Sequence, residues 1–123
     1  MKIVSTNNAP GAIGPYSQAI IAGGMVYTSG QIAIDPATGN MVEGGVKEQT
    51  EQVCKNVKAL LEASGTSIEK VVKTTCFLAD MADFAAFNEI YAGYFTGKPA
   101  RSCVAAHTLP QGALVEVDTV CLL

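Results

Sequence analysis

Between Pro99 and Val120 an arginine and two carboxylates, Arg101, Glu116 and Asp118, stand among mostly apolar neighbours. Side chains alternate across a strand, so Arg101, Cys103 and Ala105 share one face of a first strand. Leu114, Glu116, Asp118 and Val120 share one face of the next. A turn centred between Leu109 and Pro110 sets Cys103 opposite Glu116 and Arg101 opposite Asp118, gathering the guanidinium and both carboxylates into one patch. Two chemistries fit that patch. Arg101 can grip a ligand carboxylate with its planar fork while Glu116 handles a proton or a water. Alternatively the charges form a cross-strand ion pair, worth about 0.2–1 kcal/mol. Spacing alone leaves both open.

Other constellations carry less. Arg101 beside Cys103 would lower the thiol pKa, but no histidine is placed as its base, so Cys103 reads as a packed thiol whose backbone groups matter. His107 has no nucleophile elbow near it and reads as a turn or surface residue. The segment Gly11-Ala-Ile-Gly14 lacks the preceding strand and following helix of a phosphate-cradling loop. Cysteines 54, 76, 103 and 121 contain no C-x-x-C pair and read as reduced thiols, with no metal site expected.

These residues need elements to hold them. Gly23-Gly24 between two β-rich runs predicts a hairpin, whose second run continues towards Gln31-Ile-Ala-Ile-Asp35 and breaks at Pro36. Val46, Val53, Val57, Leu60 and Leu61 recur at helical spacing, and Gly65 supplies the stop. A β-branched run spans 71 to 78. Phe84, Phe87, Tyr91, Tyr94 and Phe95 line one side of a second helix that ends before Gly97, read as core packing. Strands near 101–106 and 113–122 complete the order β-β-α-β-α-β-β, an α+β single domain over residues 1–123 with a mixed sheet. Two helices cover only one face of such a sheet. Its last strand nevertheless carries apolar residues on both parities, so a second subunit is expected on the other face.

Composition narrows the partners. Charged residues make up only 15% against 49% hydrophobic, consistent with apolar surface meeting another subunit. A net charge of -3 offers no basic field for phosphate backbones, so nucleic acid is an unlikely main partner. No apolar run approaches the roughly 20 residues of a membrane span, and the N-terminus lacks a signal peptide's hydrophobic segment. A soluble, cytoplasmic protein is expected.

Gly14-Pro-Tyr-Ser-Gln-Ala19, Ser29-Gly-Gln31, Pro99-Ala-Arg-Ser-Cys103, Leu109-Pro110 and Leu114-Val-Glu-Val117 together resemble the reactive-intermediate deaminase family, the Rid or YjgF-like proteins. The match follows nearly the full chain in order. The resemblance implies a chorismate-mutase-like fold and a homotrimer whose sheets form a central barrel with clefts between subunits. It also implies hydrolysis of 2-imino acids, such as 2-iminobutanoate and 2-iminopropanoate released by pyridoxal-phosphate enzymes, to 2-keto acids and ammonia, with no cofactor. Carried over, Arg101 would bind the substrate carboxylate, and the backbone at Gly30 and Cys103 would hold the substrate and its water. Glu116 would position and activate that water, with Tyr16, Ser29 and Asn88 as further cleft residues. The competing reading is a non-catalytic trimeric binder or sensor of small keto or amino acids. An endoribonuclease role attributed to some relatives is disfavoured here by the acidic charge balance.

Overall fold

A computed structural model describes all of residues 1–123. The strands are β1 (Lys2–Val4), β2 (Ala19–Ala22), β3 (Met25–Thr28), β4 (Ile34–Asp35), β5 (Asn40–Met41), β6 (Val71–Leu78), β7 (Ala100–Ala105) and β8 (Val115–Leu122). The helices are α1 (Val46–Ala63) and α2 (Phe84–Tyr94). The main sheet runs β1-β2-β3-β8-β6-β7, antiparallel except where β6 meets β7, and β4 and β5 pair separately.

Local sequence accounts for the elements that were expected. Gly23 and Gly24 turn β2 into β3 with φ of 59° and 77°. Helix α1 closes as a Schellman motif: the Gly65 amide donates to the Glu62 carbonyl, and the Thr66 amide to the Leu61 carbonyl. Gly65 sits at φ 89°, where a side chain would strain the backbone. Val53, Val57, Leu60 and Leu61 of α1 are fully buried with Phe87 of α2 against Val26, Val115 and Val117 of the sheet.

Both helices lie on one face for a topological reason. The crossovers β3-α1-β6 and β6-α2-β7 step along the sheet in the same direction, and right-handed crossovers that step the same way put their helices on the same side. The step from β3 to β6 leaves one slot vacant between them, and β8 fills it. There Val115, Val117, Thr119 and Cys121 are buried on the helix side.

That slot overturns the expected pairing of the last two strands. They are not neighbours, because β6 lies between them, with Thr74 in register with Arg101 on one side and Thr119 on the other. Cys76 is likewise aligned with Cys103 and Val117, while Phe77 aligns with Val104 and Glu116. In-register residues project to the same face. Arg101 and Cys103 therefore lie on the helix side, and Glu116 and Asp118 on the other. The single patch of a guanidinium and two carboxylates does not form. The reason is burial: β8 gains more by filling the central slot than by folding back as a hairpin on the edge strand β7.

Two further differences concern the N-terminal half. Strand β1 pairs with β2 and was not foreseen, being only three residues long. The run after Gly24 is not one strand: β3 stops at Thr28, Ser29 and Gly30 leave the ladder, and Gln31 rejoins it opposite Val117. The open face carries exposed Ile3, Tyr27, Val104 and Leu122.

Candidate active site

The predicted site residues fall into two separate hollows. Arg101 and Asn88 line a cavity of about 520 Å³ between α2 and the start of β7. Tyr16, Ser29, Gly30 and Glu116 line a second, of about 370 Å³. Cys103 lines neither. With β7 and β8 two strand spacings apart, about 10 Å, and the two side chains on opposite faces, one small ligand does not touch both within a subunit.

In the first hollow the half-buried Arg101 extends over α2. Its Nη1 donates to Asn88 Oδ1 at 2.7 Å, and its guanidinium carbon lies 4.8 Å from the Tyr91 ring centre and 5.3 Å from that of Phe84. No carboxylate pairs with it, since the only ion pair in the chain joins Lys47 to Glu89. The cross-strand ion pair with Asp118, the alternative reading of the spacing, does not form, and on the open face burial raises the Asp118 pKa against smaller opposing pulls from Thr75 and Lys73. Three neutral groups thus fix the cation and leave its charge uncompensated. The aromatic side of α2 accordingly has a double role. Phe87 is core, Tyr91 and the adjoining Phe95 are buried and also line the arginine hollow, and Phe84 packs against the guanidinium.

In the second hollow Glu116 is held above the ordinary carboxylate pKa, first by burial and then by the charge of Asp118. A carboxyl raised in this way is a better proton acceptor once ionised. Its rotamer depends on Gly30: a Cβ there would come 2.9 Å from the Glu116 carboxyl carbon. Ser29 Oγ donates to the Ser17 carbonyl at 2.6 Å, so its hydroxyl proton is committed to holding the wall rather than a ligand. Tyr16 is exposed at the rim, and its hydroxyl accepts from the Ile13 amide at 3.4 Å.

Burial pushes the Cys103 thiol up, against a smaller opposing pull from Arg101. Cys76 beside it is pushed up to about 12, mainly by burial. Neither is activated as a nucleophile. β7 is an edge strand, so one side of its backbone has no ladder partner in the subunit. His107 is exposed just beyond β7 and lines neither hollow.

Sequence reading missed the residues that hold the walls. Buried Asn56 donates to the Ile32 and Ile34 carbonyls, and Gln52 donates to Asn56 Oδ1. Gln49 Oε1 accepts from the Leu114 amide two residues before Glu116. A row of amides along α1 therefore ties both chain segments that flank Glu116. Gln18, also buried, bonds the Thr6 amide and the Thr6, Ala9 and Pro10 carbonyls, stapling the loop that leads to Tyr16. The available signal was polar amides interrupting the apolar stripe of α1.

The chain is a two-helix α+β domain on a mixed sheet with one helix-covered face, carrying a guanidinium free of carboxylates and a raised carboxyl in separate hollows. The comparisons with known proteins are specific. A family profile described as Endoribonuclease L-PSP matches residues 6–123, and the chain belongs to that family, which includes the Rid proteins. A RutC family protein of Pyrococcus horikoshii is 51% identical over 120 residues, covering 97% of this chain and 95% of the other. The 2-iminobutanoate/2-iminopropanoate deaminase of Mus musculus is 48% identical over 120 residues, covering 97% and 89%. The crystal structure of E. coli TdcF with bound serine superposes with a TM-score of 0.95 at 40% identity, covering 100% of this chain and 99% of the other. Family membership and deaminase-named relatives support Rid-type deamination. No helix is long and apolar enough to cross a membrane.

Proposed function

We propose that the protein hydrolyses short 2-imino acids, of the 2-iminobutanoate and 2-iminopropanoate class, to 2-keto acids and ammonia. The observation that carries this reading is the guanidinium of Arg101, fixed by neutral groups and left free for an anionic ligand. Because Arg101 and Glu116 stand on opposite faces, the reaction needs a second copy of the chain. The arginine hollow of one subunit meets the glutamate hollow of its neighbour in a cleft, repeated around a homotrimer that covers the open sheet face.

The chemistry asks little of the protein. A protonated imine is already electrophilic at carbon. Arg101 holds the carboxylate in a bidentate grip, the backbone at Gly30 and Cys103 orients the imine, and Glu116 holds a water against its carbon. As the water oxygen bonds to that carbon, Glu116 takes its proton and the C=N electron pair moves to nitrogen. Glu116 then returns the proton to the amino group, and as ammonia leaves, the hydroxyl gives its own proton to the Glu116 carboxylate and the C=O bond forms; Glu116 is reset when that proton passes to the departing ammonia as ammonium. Neither a covalent nucleophile nor a cofactor enters these steps.

The decisive test generates 2-iminobutanoate enzymatically beside semicarbazide. The protein should divert imine from the trap to keto acid and ammonia, and an unchanged semicarbazone yield would reject the reading. The serine-bound relative favours a second reading, a trimeric binder of small amino or keto acids. A binder gains nothing from a raised carboxyl beside its ligand's carboxylate, so ligand affinity without imine turnover is the result that would select it.

A further inference from the structure

We propose that Tyr91, anchored by Thr74 and seconded by Phe84, is the positioning residue for Arg101: it fixes the guanidinium so that its uncommitted N–H donors stay turned to the ligand carboxylate. The inference rests on the reading of Arg101 as a carboxylate grip. A guanidinium has five N–H donors, and only one hydrogen bond, to Asn88, holds this one. An arginine on an edge strand with a single hydrogen bond would swing through several rotamers and lose binding entropy with each. The aromatic floor prevents this, because both rings lie within the roughly 6 Å over which a ring attracts a cation.

Tyr91 is itself immobilised. Its ring stacks on Phe95 at 4.4 Å and leans on Phe87 at 5.4 Å, and its hydroxyl shares a 2.7 Å hydrogen bond with Thr74 Oγ1. Thr74 is fully buried and stands in register with Arg101 across β6 and β7. The strand that carries the arginine and the ring beneath it are therefore fixed to one point. A ring face also holds the cation without neutralising it, where a carboxylate partner would compete with the ligand.

The test compares Tyr91→Leu, Phe84→Leu and Tyr91→Phe, using calorimetric affinity for 2-oxobutanoate and for its uncharged methyl ester, together with imine turnover. Tyr91→Leu should weaken 2-oxobutanoate binding about 5- to 30-fold and raise KM in proportion, with kcat within about 2-fold, because uniform binding is lost. Ester affinity should not move. Tyr91→Phe keeps the ring but removes the Thr74 anchor, so it should weaken the acid affinity less than Tyr91→Leu does. Phe84 is only partly buried, so Phe84→Leu gives a smaller loss of the same kind even if Tyr91→Leu does not fold. Acid affinity unchanged in both leucine variants, or acid and ester weakening in parallel, overturns the positioning role while leaving the arginine grip standing. A wild-type protein that binds acid and ester alike overturns the grip itself and the positioning role with it.

Discussion

The arginine hollow sits beside α2 on the covered side of the sheet, whereas the glutamate hollow opens on the bare side among loops that α1 and Gln18 tie down. Arg101 is surrounded by an amide and two rings, all neutral, which hold its position and leave its charge alone. Glu116 is surrounded by burial and a second acid, which leave its position to a missing Cβ at Gly30 and change its proton affinity. The difference matches the roles proposed for the two groups. A group that grips needs its full charge at a fixed place, and a group that moves protons needs a pKa raised towards working pH.

Changing Glu116 should therefore act on turnover and changing Arg101 on binding. Glu116→Gln keeps the shape and removes the basicity, so kcat should fall about 10²- to 10⁴-fold, the usual contribution of a positioned acid or base. Calorimetric affinity for 2-oxobutanoate should survive. Intact turnover in this variant would remove Glu116 from the mechanism.

Arg101→Ala should lower kcat/KM about 30- to 1000-fold, from the loss of about 2–4 kcal/mol of charge-assisted contact, and Arg101→Lys should fall between. Mixing this variant with Glu116→Gln sharpens the comparison. If the two hollows meet only between subunits, randomly mixed trimers should recover about a quarter of wild-type turnover, since a cleft needs one intact half from each neighbour. No recovery after subunit exchange would mean that both halves belong to one chain.

Gly30→Ala tests whether the glutamate hollow depends on that missing Cβ. With its Cβ 2.9 Å from the carboxyl carbon, the alanine must push Glu116 aside, and a drop of about 10-fold in kcat with a folded protein is expected. Wild-type kcat would show that the carboxyl is free to relax.

Asp118→Asn should produce the smallest effect, a shift along the pH axis. In the proposed reaction Glu116 works ionised, and its raised pKa should place the acid limb of kcat/KM above the ordinary carboxylate value of 4.5. Removing the Asp118 charge should move that limb to lower pH without lowering the plateau. Stability follows the same sign. Both carboxyls bind protons more tightly folded than unfolded, so the stability they add at low pH is lost as pH rises through their raised values. Asp118→Asn should flatten that loss in a denaturant titration measured across pH, and an unchanged slope would remove Asp118 as a cause.

The sequence by itself determined the elements and the residue types. Helix α1 with its Gly65 stop, the Gly23-Gly24 hairpin, the β-branched run of β6 and the aromatic face of α2 were all legible, because each is set by contacts within a few residues. So was the chemistry on offer, since Arg101 and Glu116 are ionisable groups set among apolar neighbours. Tertiary structure alone decided which strand lies beside which. The slot between β3 and β6 exists only once two crossovers have stepped in the same direction, and it draws β8 away from β7 because burial there is greater. That one choice parts Arg101 from Glu116 across the sheet. It also brings Asn88, Tyr91 and Phe84 to the arginine and Gly30 to the glutamate. Strand order is set by the burial of the whole chain, and spacing within two strands carries no record of it.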